Sequence, residues 1–115
     1  MTSAVSTGPV VVIDTDRITD AQSFHEVFSQ ACGFPGFYGR NMDAWIDCMS
    51  SLDTPEDALT TVHVPPGSVV TLVLTHAVQF KKRCPALYDA VIECAAGVNR
   101  RQLEWGRSAV LALAF

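Results

Sequence analysis

Three short apolar runs constrain this chain most. Val10 to Ile13, Val69 to Leu74 and Ala109 to Phe115 are each of strand length, and the stretches between them carry helical rather than alternating apolar spacing. A continuous apolar run bounded by turn residues is the signature of a strand buried on both faces, the usual state of a parallel sheet. Strands that alternate with helical stretches imply right-handed crossovers joining parallel neighbours. The chain is therefore expected to form an α/β fold, with a three-stranded parallel sheet packed against about four helices.

Helix signals fall between the runs. Thr19-Asp20-Ala21-Gln22 has the spacing of a capping box, with Ala21, Phe24, Phe28 and Ala31 following at helical intervals until Gly33 offers a C-terminal cap. Asn41 is placed to cap a second helix reaching about Leu52. Thr54-Pro55-Glu56 can start a short helical turn, and Pro65-Pro66-Gly67 breaks any element. Thr75 can cap a segment holding Val78 and Phe80. Pro85 suits the first position of a last helix, with Leu87, Val91 and Ile92 inward and Gly97 as its stop. Asn99 to Ser108 then reads as a polar connection carrying the solvated arginines Arg100, Arg101 and Arg107.

Composition narrows the function classes. At 115 residues, with 49% hydrophobic and 17% charged residues, the chain can bury one core, so a single domain over 1–115 is expected, with 1–8 flexible. A net charge of -4 removes the electrostatic basis for nucleic-acid or anionic-membrane binding and suits a basic partner. The four cysteines, Cys32, Cys48, Cys84 and Cys94, form no C-x-x-C pair, so neither a zinc framework nor a redox motif is signalled, and buried reduced thiols are expected. No cofactor is called for. The start of the chain has neither a basic cluster nor a long apolar run, which points to the cytosol.

The most informative stretch runs from Phe34 to Met49. On a helix, Met42, Trp45, Met49 and Leu52 share one stripe and face a core, leaving Asp43, Ile46, Asp47 and Ser50 on another. Asp43 sits in the first turn, where the helix dipole favours a negative charge by roughly 0.3–1 kcal/mol. Asp47 lies beyond that turn, four residues from a like charge, an arrangement that costs a few tenths of a kcal/mol. Local stability does not account for it.

Pro35, Phe37-Tyr38, Gly39, Asn41, Asp43-Ala44 and Asp47-Cys48 together resemble the barstar family, the intracellular inhibitors of barnase-type ribonucleases. The resemblance implies a small barstar-like fold that plugs the active site of a basic ribonuclease, one by one, as a monomer without chemistry of its own. Asp47 would occupy the place of the scissile phosphate, supported by Asp43, with Phe37 and Tyr38 covering the cleft and Gly39 and Asn41 shaping the start of the helix. Ala44 and Ile46 would share that face, and Glu93 is the candidate for a further acidic contact from a later helix. A nuclease site gathers Arg, Lys and His for phosphate, and a helix-borne carboxylate can satisfy them by charge-assisted hydrogen bonds; barnase and its inhibitor are themselves a reference case of such pairing. Ile46 stands where the family's best-known member has tryptophan, Phe37 replaces a tyrosine and Arg40 an acid, so the target need not be barnase.

Two other classes stay open at this point. An enzyme would draw on His25, His63 or His76 with a cysteine, but no nucleophile motif supports one, and His25 and His76 sit where surface or capping histidines are common. An acidic interaction module with a non-nuclease basic partner differs from an immunity protein only in that partner.

Overall fold

The computed structural model describes residues 8–115, so the expected flexibility of 1–8 falls, up to residue 7, outside the described residues. In chain order the elements are β1 (Val10–Ile13), a 3-10 turn (Thr15–Arg17), α1 (Ala21–Cys32), α2 (Met42–Met49), a second 3-10 turn (Pro55–Asp57), β2 (Val70–Leu74), α3 (Ala77–Arg83), α4 (Pro85–Glu104) and β3 (Leu111–Ala114). The strands lie in the order β1-β2-β3, all parallel, with Ile13 opposite Leu74 and Val70 opposite Leu111. This is the expected α/β arrangement of a three-stranded parallel sheet and four helices.

Side-chain alternation decides where the core sits. Val70, Leu72 and Leu74 of the central strand are buried and face Phe24 and Phe28 of α1, Trp45 and Met49 of α2, Phe80 of α3 and Val91, Ala95 and Val98 of α4 within one apolar cluster. Trp45 is fully buried, its ring edge-on to Phe28 with centroids 5.6 Å apart. The edge strand departs from expectation. Val10 and Val12 are 61% and 59% exposed, because β1 pairs on one side only and its alternate residues turn away from the helical layer.

The helix ends also correct the sequence reading. The capping box of α1 sits one residue later than expected: Asp20, not Thr19, accepts from the Ser23 backbone N–H, and the Ser23 hydroxyl accepts in return from the Asp20 N–H. Gln22 turns instead to Glu26. Gly33 closes α1 in the left-handed conformation, as its position predicts, and a side chain there would collide with Thr61. α2 stops at Met49 rather than Leu52, and Ser50, expected on the open face, is buried with its hydroxyl donated to the Ile46 carbonyl. Thr75 does not cap α3. His76 takes that position in the left-handed region, while Thr75 binds the Ile13 carbonyl at the sheet edge.

The largest difference lies in α4. It begins at Pro85 as expected but runs through Gly97 to Glu104, so most of the expected polar connection is helix. A mid-helix glycine costs roughly 1 kcal/mol, and the apolar burial of Val98 beyond it, with the Gln102 amide donating to the Ser50 carbonyl, offsets that cost. Ile92 is solvent-facing, the inward stripe being Val91, Ala95, Val98 and Gln102. The true stop is Gly106, with φ 77°, where its N–H reaches Leu103 and the Arg107 N–H reaches Gln102 in a Schellman turn. Asn99 clasps the start of β3, accepting from the Val110 and Leu111 N–H groups and donating to the Leu111 carbonyl.

Candidate functional site

The loop before α2 is built from inside outward. Phe34 is buried and packs its ring 4.6 Å from that of Tyr38, whose N–H closes a turn on the Pro35 carbonyl. Tyr38 is itself buried, and its hydroxyl lies 2.6 Å from Nδ1 of His25 on α1. Burial pushes the Tyr38 hydroxyl well above its ordinary pKa, so it stays protonated. Burial, with the nearby Arg40 charge, holds His25 below the ordinary histidine value, favouring the neutral ring. His25 is thus an interior anchor, not the surface residue its position suggests. With Phe34 and Tyr38 turned in, Phe37 is turned out and is 78% exposed.

Arg40 then takes a left-handed φ of 54°, and its guanidinium lies 3.8 Å from Glu26. Asn41 follows in extended geometry and caps α2, its side-chain oxygen accepting from the Ala44 N–H at 2.8 Å. An eight-residue helix depends on that cap more than a long one does, because nucleation is costly. The cap and the inward stripe of Trp45, Met49 and Leu52 fix which residues remain outside. Asp43 and Asp47 are exposed, Ala44 and Ile46 are half-buried, and Met42 lies against the core rim. Phe37, Gly39, Ala44, Asp47 and Leu59 surround a depression of about 320 Å³.

α4 runs beside α2. Asp47 meets Arg101, Ser50 meets Gln102, and Gln102 also reaches Asp53, so the two helices proceed in the same direction. Cys94 of α4 has its thiol pushed up by burial and then by the charges of Glu93, its neighbour on α4, and Asp43 of α2. Asp43 and Asp47 on α2 and Glu93 on α4 are all exposed.

Asp47 is not the unpartnered charge that its spacing suggests. Nη1 of Arg101 lies 2.8 Å from its Oδ1, with the Asp47 side chain 64% exposed. Linear sequence hid this pair behind Gly97. Once α4 continues, Glu93, Gly97 and Arg101 fall at four-residue intervals along the face that borders α2. Cys48, next to Asp47, is buried with its thiol pushed up to about 11, and Cys32 to about 12, so both are poor nucleophiles. Cys84 and Cys94 are half-buried, and all four cysteines are free. Among the described residues, no cluster of three or more His, Cys, Asp or Glu is gathered for a metal, and no helix is long and apolar enough to cross a membrane.

A parallel three-stranded sheet under four helices, presenting a capped acidic helix behind an aromatic loop, defines a small α/β protein of the barstar type. The family model described as "Barstar (barnase inhibitor)" matches residues 8–114, nearly the whole chain, and the chain belongs to that family. The family is one of inhibitors rather than enzymes and implies a ribonuclease partner. No curated protein matches the chain.

Proposed function

We propose that this protein inhibits a barnase-like ribonuclease by seating α2 and the loop from Phe34 to Arg40 in its active site. The observation that carries this is the pair of exposed carboxylates, Asp43 and Asp47, held on a side-chain-capped helix beside the outward ring of Phe37. A cleft lined with cationic phosphate ligands can exchange its water for these carboxylates through charge-assisted hydrogen bonds, with Asp47 in the place of the scissile phosphate. Asp43 and Glu93 extend the negative field, which steers a cationic enzyme toward the helix. Phe37 and Ile46 contribute apolar contact, and Ala44 and Gly39 keep the surface low enough for close approach. Tyr38 and Asn41 hold the geometry, since Tyr38 is buried and Asn41 is engaged in the cap. The protein acts as one cytosolic domain and monomer, one copy per enzyme, in the manner of an immunity protein. Its free thiols agree with a reducing compartment.

The test is a titration of RNA hydrolysis by barnase, and by any ribonuclease encoded beside the gene, with the wild type and Asp47→Ala. Stoichiometric inhibition by the wild type, weakened by about 2 kcal/mol or more in the variant, is the expected result for a central hot spot. Inhibition of none of these enzymes would sink the proposal and leave an acidic interaction module whose basic partner is not a nuclease.

A further inference from the structure

Trp105 is the second tryptophan of the chain, and the fold treats it unlike the first. Trp45 is fully buried, whereas Trp105 is 54% exposed at the end of α4. The left-handed turn at Gly106 folds the chain back so that the Arg107 guanidinium lies 5.4 Å from the Trp105 ring centroid, with that of Arg101 at 5.8 Å. Both cations are tethered in turn. Arg101 is bound to Asp47, and Arg107 lies 3.9 Å from Asp53 and 3.3 Å from the Thr54 hydroxyl. Cation–π contact on the ring and carboxylates behind the cations hold an exposed indole in one place, the condition under which an aromatic side chain binds a partner at low entropic cost.

Arg101 is the hinge of the surface, because one guanidinium touches both Asp47 and the Trp105 ring. We infer that the docking face does not end at α2 but continues across Arg101 onto Trp105 and Arg107, and that the partner is a ribonuclease with an acidic rim beside its cationic cleft. The inference rests on the inhibitor function proposed above. When an enzyme's cation engages Asp47, Arg101 loses its counter-charge while facing the same cation. Arg107 keeps Asp53 beside it, so Arg101 is then the uncompensated charge next to the indole. A carboxylate on the rim of the enzyme restores the balance, and the indole supplies an apolar anchor next to it.

The test uses the full chain labelled with 5-fluorotryptophan, whose buried and exposed tryptophans give separate fluorine signals. The probe is barnase, or the ribonuclease encoded beside the gene where that is the enzyme inhibited. On complex formation the Trp105 signal is expected to shift and lose its H2O/D2O solvent isotope shift, while the Trp45 signal is retained. Trp105→Ala is expected to weaken binding about tenfold or more and Arg101→Ala several-fold, both with thermal unfolding close to that of the wild type. A complex that depends on Asp47 but leaves the Trp105 signal unmoved, or binds Arg101→Ala as tightly as the wild type or tighter, overturns the extension and leaves the inhibitor function standing. Absence of any Asp47-dependent complex overturns both.

Discussion

The Arg101 guanidinium sits 2.8 Å from the Asp47 carboxylate, joining the end of α4 to the acidic face of α2. The pair is largely exposed, so its net worth in water is small, on the order of 0–1 kcal/mol. Against it stands the repulsion between Asp47 and Asp43 one helical turn away, worth a few tenths of a kcal/mol. The two nearly cancel. Asp47→Ala is therefore expected to shift unfolding free energy by less than about 1 kcal/mol in urea titrations while weakening inhibition strongly. A loss of stability above about 2 kcal/mol would instead make Asp47 a structural residue.

The contact of His25 with Tyr38 predicts a pH dependence of stability. Burial lowers the histidine's pKa in the folded protein, so the unfolded chain, with its ordinary value of 6.5, binds the proton more readily. Stability from this residue is complete above pH 6.5, declines as the pH falls below it, and is lost once the pH has passed through the folded-state value. Urea midpoints at pH 7.5 and 5.5 should therefore differ more in the wild type than in His25→Gln. Equal differences in the two proteins would remove His25 from the account.

Two helix caps separate stability from function. Asp20 and Asn41 each satisfy an N-terminal backbone donor, and replacing either by alanine is expected to cost roughly 0.5–2 kcal/mol. Only Asn41 orients the acidic helix. Asn41→Ala should thus weaken inhibition in a titration at a temperature where both variants remain folded, and Asp20→Ala should not. Equal inhibition by both would mean that α2 keeps its position without its cap.

How much of this was legible in the sequence follows from which forces act locally. The apolar runs announce the strands because burial requires them, and Gly33, Asn41 and Pro85 mark helix ends because their backbone chemistry is local. The open faces of Val10 and Val12 were not legible, since edge and central strands have the same composition and differ only in pairing. Gly97 misled because its cost is local while the packing of Val98 and Gln102 that overrides it is tertiary. That single misjudged helix end also concealed Arg101, turning a residue of the site into an assumed solvated arginine. The exposure of Asp43 and Asp47 was readable from their spacing on α2, whereas Tyr38 inward and Phe37 outward was a choice between two adjacent aromatics that the contacts of Tyr38 with His25 and Phe34 decide.

That choice supplies a last prediction. Phe34 and Phe37 lie three residues apart on one loop and bury opposite amounts of surface. Phe34→Ala removes a ring packed against Tyr38 in the core and is expected to destabilise the fold by about 3 kcal/mol, with inhibition lost only where the loop unfolds. Phe37→Ala removes a ring that touches mostly solvent, so unfolding free energy should change by less than about 0.5 kcal/mol, the usual range for exposed positions. Inhibition should nevertheless weaken by about 1 kcal/mol or more, because the ring becomes buried only against the enzyme. Paired urea and ribonuclease titrations measure both quantities for each variant. Full inhibitory strength in Phe37→Ala would place this loop outside the contact and leave the acidic helix to bind alone.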